Sequence, residues 1–165
     1  MATTDPLTAL FNRRHMTYLA EREIQRFTRT NSPIGILLID IDHFKVINDQ
    51  FGHNVGDDVL VNIALIIKQQ VRTQDLIARW GGEEFLVVLP DTTTGDARLS
   101  AERIRAAFHD YDWLNKIDAN LSATISIGVS EFQQGESLSS AIARADLALY
   151  KSKAAGRNRV EFEPG

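Results

Sequence analysis

The sequence predicts an α+β fold: a central mixed, largely antiparallel β-sheet flanked by helices. Three observations predict it. "IGILLID" (Ile34 to Asp40) is a near-continuous apolar run, as expected of a strand buried on both faces. "LIARWGGEEFLVVLP" (Leu76 to Pro90) places two apolar runs around Gly-Gly, the pattern of a hairpin. Several other segments carry apolar residues at helical spacing, and strands and helices in this order make helices packed on a sheet.

Taken in order, "DPLTALFNRR" opens with turn chemistry. A helix follows, with Met16, Ala20, Ile24 and Phe27 on one face, and "NSP" stops it. After the buried strand, "HFKVINDQFGH" reads as a short helix and turn. From Asp57 to Val71, Leu60, Ile63, Ala64, Ile67 and Val71 form a helical stripe. The hairpin strands are expected at Leu76–Trp80 and Phe85–Leu89, with glycines that accept the positive φ of a tight turn. "GDARLSAERIRAAF" is a helix with Ala97, Ala101, Ile104 and Phe108 on one face. "LSATISIGVSEF" alternates with period two and predicts a strand. A last helix presents Leu138, Ile142, Ala145 and Leu149, Gly156 is a natural stop, and "NRVEF" supplies a short final strand.

The 165 residues suit one core, and 44% hydrophobic with 24% charged residues is ordinary for a soluble protein. A net charge of −4 argues against a basic groove for a nucleic acid polymer. The absence of Cys excludes disulfides and thiolate metal sites and fits a reducing cytoplasm. No apolar run approaches a membrane span, so no membrane contact is expected.

Two features carry chemistry. Glu83 and Glu84 stand side by side in the turn, where like charges repel; either water solvates them or a cation sits beside them. Asp40 and Asp42 end the most apolar strand and leave it on the same face. If the strand ends there, both are exposed or cap the next helix. If the hairpin lies beside it, Asp40 and Glu83 converge. Oxygen ligands without His or Cys suit Mg²⁺ or Mn²⁺ together with nucleotide phosphates, which points to metal-assisted phosphoryl transfer. Phosphate would need cations. Lys153 and Arg157, four apart at a helix end, would share a face, and Lys45 lies five residues past Asp40. Such a face can equally be solvated charge complementing a helix dipole. His15, His43, His53 and His109 show no zinc-site spacing.

Five collinear blocks, "DPLTALFNRR", "DIDHFKVINDQFGHNVGDDVL", "RWGGEEF", "ISIGVS" and "ADLALYKSKAAGRNRV", resemble those of GGDEF domains, the diguanylate cyclases. The resemblance covers almost the whole chain. It implies a sheet core similar to nucleotidyl cyclases and polymerase palms, spanning residues 1–165 as a single GGDEF domain. It also implies a two-fold homodimer in which the 3′-hydroxyl of each GTP attacks the α-phosphate of the other, giving cyclic di-GMP and two pyrophosphates.

By motif position, the resemblance makes Asp40 and Glu83 metal ligands for Mg²⁺ or Mn²⁺, helped by the carbonyl of Ile41. Glu84 becomes a further acid of the catalytic site, assisting the metals or hydroxyl deprotonation. Gly81 and Gly82 would let backbone approach the nucleotide. Asn48 and Asp57 would read the guanine edge, whose donors suit an acceptor-only carboxylate. Lys45, Lys153 and Arg157 would contact phosphate. Asp42 and His53 are expected to be structural.

"RTQD" matches the family's RxxD inhibitory site, so Arg72 and Asp75 would bind the cyclic di-GMP product, with Arg103 as a candidate second arginine. The alternative for the whole chain is a catalytically silent module that binds GTP or cyclic di-GMP as a sensor. A generic nucleotidyl transferase is disfavoured by the guanine-reading pair. The chain starts almost at the first block. This implies a cytoplasmic catalytic domain excised from a longer sensor protein, whether or not that parent is membrane-anchored.

Overall fold

The apolar run Ile34–Ile41 forms β1, and every one of its residues is buried. It lies at the middle of the sheet because helices cover both of its faces and strands flank both of its edges. The computed structural model describes residues 2–118 and 120–165. Among them the order is α1 (Arg13–Thr30), β1, α2 (Phe44–Phe51), α3 (His53–Gln70), β2 (Leu76–Arg79), β3 (Glu84–Pro90), α4 (Thr94–His109), α5 (Trp113–Lys116), β4 (Ile125–Glu131), α6 (Leu138–Ala154) and β5 (Val160–Phe162). The sheet order is β2-β3-β1-β4-β5. β1 pairs antiparallel with β3 and β4, β2 pairs antiparallel with β3, and only β4 and β5 are parallel among these pairs. The expected mixed, largely antiparallel sheet is the one observed.

Strand alternation divides the core in two. Ile34, Ile36 and Leu38 face α1 and α6, where Met16, Ala20, Ala145 and Leu149 pack. Leu37, Ile39 and Ile41 face α2, α3 and α4. The expected strand is β4, and both of its faces are buried. Ile125, Ile127 and Val129 enter the second core, but Ser126, Gly128 and Ser130 are buried too, under α6. Small residues there let helix backbone come close: a Cβ on Gly128 would lie 2.0 Å from the carbonyl oxygen of Ala145. Ser130 Oγ donates to the carbonyl of Ala141 at 2.8 Å.

Other departures are local. α3 begins at His53 rather than Asp57. α5 was not expected; Asp112 caps it, and Trp113 Nε1 donates to the carbonyl of Phe108 at 2.9 Å. The hairpin strands differ from expectation by a residue at the turn. Neither turn glycine has positive φ; Trp80 N instead donates to the carbonyl of Glu84 at 2.8 Å, and Arg79 Nη2 donates to the carbonyl of Gly82 at 2.7 Å. An arginine clamp shapes the turn where glycine's left-handed freedom was expected to. No helix among the described residues is long and apolar enough to cross a membrane.

Candidate active site

The register of the sheet brings the acids together. Asp40 on β1 stands opposite Glu84 on β3 and Ser126 on β4. Ile41 N donates to the carbonyl of Glu83 at 3.3 Å, which folds the turn against the end of β1. The carboxyls of Asp40 and Glu83 lie within hydrogen-bonding reach of each other. Asp40 is only 6% exposed, so the reading in which it is solvated beyond the strand fails. Burial raises the pKa of Asp40, while the hydrogen bond and charge of Lys153 oppose the rise. Burial also raises the pKa of Glu83, and the charge of Asp40 adds to it. Glu84 is raised by burial and then by the charges of Asp40 and Asp146. Crowded carboxylates of this kind favour either a proton or a cation.

The cation present is Lys153, whose Nζ donates to Asp40 Oδ2 at 2.9 Å from the last turn of α6. Glu84 turns partly away, lining a cavity of about 410 Å³ between α1 and α6 with Arg13, Trp80, Ile142 and Asp146. Asp42 neither caps α2 nor reaches solvent. It is 4% exposed and accepts from Thr124 Oγ1 at 2.7 Å, Ser126 Oγ at 2.6 Å and Asn158 N at 3.0 Å. The residue preceding α2 is His43, with φ 54° and no side-chain cap. Asp42 thereby ties the end of β1 to β4 and to the loop after α6.

Arg157 differs from expectation. α6 ends at Ala154, and Arg157 sits in the following turn with φ 64°, so it does not share a helical face with Lys153. It is exposed, as is Lys45 in the first turn of α2. Asn48 on α2 lies across α3 at Gly56: a Cβ there would be 1.8 Å from Asn48 Oδ1. Asp57 is the next residue, exposed on α3. Gly82 has open space above it, whereas a Cβ on Gly81 would meet Glu84 Oε1 at 2.9 Å.

Among the described residues, no group of three or more His, Cys, Asp or Glu side chains is gathered to hold a metal unaided. The donors fit a hard cation nevertheless. Asp40 and Glu83 give two crowded carboxyls, and an ammonium already stands on one of them. Mg²⁺ typically takes one or two carboxylates and completes its shell with water and phosphate. His15 stacks on Tyr18 and meets Phe11 edge-on, His109 contacts Asp110, and His53 is exposed at the start of α3.

At the far end of β2, Asp75 accepts from Arg72 N, Nε and Nη2, and Arg72 Nη2 also donates to the carbonyl of Pro90 at 2.6 Å and to Thr92 Oγ1 at 2.8 Å. The Asp75 side chain is buried while that of Arg72 is half-exposed. Arg103 lies well along α4 and bonds Ser100. Arg26 pairs at 2.6 Å with Asp91, the residue between the Pro90 and Thr92 partners of Arg72.

Residues 2–159 match the model of the family described as "Diguanylate cyclase, GGDEF domain". The chain belongs to the GGDEF family. It is 45% identical over 169 residues to the response regulator PleD of Caulobacter vibrioides, covering 97% of this chain and 36% of that protein. It is 44% identical over 160 residues to the diguanylate cyclase DgcP of Pseudomonas aeruginosa, covering 97% of this chain and 24% of that protein. The chain thus spans about a third or less of these curated relatives.

Among solved structures, the GGDEF domain of DgcB from Caulobacter crescentus in complex with c-di-GMP superposes with a TM-score of 0.92 at 35% identity, covering 98% of this chain and 93% of that one. Diguanylate cyclase SiaD from Pseudomonas aeruginosa, in complex with its activator SiaC, gives a TM-score of 0.92 at 40% identity, covering 98% of this chain and 62% of that one.

Sequence reasoning missed Gly56, the three partners of Asp42, and Arg26. Gly56 is the single glycine of α3 and lies just before the expected stripe, and a glycine within a helix was its signal. Thr124, Ser126 and Asn158, which hold Asp42, carry no distinguishing pattern. Arg26 lies on a helix face rich in arginine and was not separable from ordinary surface charge.

Proposed function

We propose that this GGDEF domain is a diguanylate cyclase that condenses two GTP into cyclic di-GMP and two pyrophosphates as a two-fold homodimer. The meeting of Asp40, Glu83 and Lys153 at the end of β1 carries the reading. Asn48 and Asp57 hold the guanine edge, with Gly56 making room for the Asn48 carboxamide. Asp57 accepts from the guanine imino and amino donors, which adenine does not present together. Lys45, Arg157 and, once released from Asp40, Lys153 bind phosphate. The uncapped start of α2, directly after the acidic strand end, adds backbone N–H donors for the same anion. Gly82, open above, admits the nucleotide close to backbone.

Asp40, Glu83 and the Ile41 carbonyl would hold Mg²⁺ or Mn²⁺, which when bound neutralises phosphate charge and makes the 3′-hydroxyl more acidic. The 3′-oxygen of one GTP bonds to the α-phosphorus of the other. The bond from that phosphorus to the bridging oxygen breaks, and pyrophosphate leaves with the electron pair. The hydroxyl proton passes to Glu84 or to water. One domain holds one GTP, so two must face each other. Arg72 and Asp75 form the product-binding, inhibitory site, with the half-exposed guanidinium offered to a guanine or a phosphate. The substrate places the reaction in the cytoplasm.

The test is pyrophosphate release from GTP with Mg²⁺, comparing the wild type with Glu83→Gln. Release in the wild type and none in the variant supports the reading; full release in the variant refutes the role of Glu83.

A further inference from the structure

Of the three cations matched to phosphate contacts, Lys45 and Arg157 are exposed and make no side-chain hydrogen bond or ion pair among the described residues. Lys153 is different: it is spent on Asp40. Its side chain is 34% exposed and that of Asp40 is 9% exposed, so the pair is largely withdrawn from water. The same ammonium moderates the charge of Glu83 and Glu84. A divalent ion on that carboxylate would bind its oxygen at about 2.1 Å. With the ammonium 2.9 Å from Oδ2, a metal ion sharing that oxygen would be within roughly 5 Å of it, where like charges in a poorly hydrated site repel strongly.

We propose that Lys153 is a placeholder cation. Its ammonium holds the metal position on Asp40 until nucleotide phosphates draw it away, so the carboxylates accept a divalent ion together with nucleotide and poorly without it. The inference rests on the proposed cyclase reading and adds to it an order of assembly. A lysine suits the exchange because its charge rides on a flexible four-carbon stem anchored in the last turn of α6. Phosphate supplies the negative charge that both cations then share. The domain avoids two opposite faults: bare carboxylates crowded together in the absence of ligand, and a metal tightly bound without substrate.

The test measures Mn²⁺ binding by the loss of the free-ion electron paramagnetic resonance signal, with and without 3′-deoxy-GTP, which lacks the attacking hydroxyl. The proteins are the wild type, Lys153→Met, Lys153→Arg and Lys151→Met. Lys151 is on the same helix and pairs with Glu163, which follows β5, so Lys151→Met changes net charge equally without touching Asp40. Without nucleotide, Lys153→Met should bind Mn²⁺ about 10-fold more tightly than the wild type, while Lys153→Arg and Lys151→Met stay at the wild-type value. The nucleotide should tighten Mn²⁺ binding more in the wild type than in Lys153→Met.

Equal affinity of Lys153→Met and Lys151→Met for Mn²⁺ alone overturns the inference. So does a wild type that binds Mn²⁺ as tightly without nucleotide as with it; cyclic di-GMP synthesis by that same protein would leave the cyclase reading standing. No Mn²⁺ binding by any of the proteins, even with nucleotide, defeats the metal assignment and the inference together. Circular dichroism verifies folding, and Lys153→Gln replaces Lys153→Met if the latter does not fold.

Discussion

Replacing Asp42 by Ala should unfold the domain far more readily, although Asp42 is assigned no contact with substrate. Three donors converge on this carboxylate: the hydroxyls of Thr124 and Ser126 and the backbone N–H of Asn158. Each hydrogen bond to a charged group contributes about 1.5–3 kcal/mol. The cost of having buried the carboxylate offsets part of that sum. What remains is the penalty of leaving Ser126, with no exposed surface, and its neighbours without an acceptor. Breaking a buried charged network costs about 3–5 kcal/mol, and we expect about 3–4 kcal/mol here.

Asp42→Asn should cost less, about 1–2 kcal/mol. Its oxygen can face Thr124 and Asn158 while its amide donates to the Ser126 hydroxyl. Urea denaturation followed by circular dichroism should show the midpoint falling by roughly 1.5–2 M for the Ala variant at an unchanged slope. A loss below about 1 kcal/mol, or an Asn variant as damaged as the Ala variant, would refute the account of this network.

Gly128→Ala should destabilise by about 3 kcal/mol or more, because the new Cβ would meet backbone of α6 rather than a movable side chain; a thermal melt measures it. Gly56→Ala should displace the Asn48 carboxamide and weaken GTP binding at least about tenfold, read by isothermal titration. Glu83→Gln should stabilise the metal-free domain slightly at pH 7, by about 0.5 kcal/mol or less because water screens a side chain this exposed. The sign follows from the raised pKa of Glu83: its ionised form is disfavoured in the folded state, a cost present above the raised value and absent below the ordinary glutamate range. The advantage of the variant should therefore vanish as the pH of the melt is lowered through that range in EDTA.

Much of this architecture was legible because β1 is apolar at every position through Ile39 and the helices carry regular stripes. Such patterns report burial directly. The convergence of Asp40 and Glu83 was legible only conditionally, since it depends on the hairpin pairing beside β1, a long-range register. The meaning of Ser126, Gly128 and Ser130 was not legible. Alternating small residues look like a solvent face, and only the packing of α6 shows them to be a seat for a helix. Arg157 was misplaced because helix ends are set by local capping, here a turn with positive φ at Arg157 and Asn158. The ion pair of Lys153 with Asp40 joins residues far apart in the chain, and no local pattern announces it.

The central claim is that two such domains, each holding one GTP, make one cyclic dinucleotide. The most direct measurement incubates GTP and Mg²⁺ with the domain over a wide range of protein concentrations and identifies products by mass spectrometry. Cyclic di-GMP and pyrophosphate are expected, with a rate per protomer that rises with protein concentration until dimers saturate. No cyclic di-GMP at the highest concentration, or a rate per protomer that stays constant down to nanomolar protein, would contradict it.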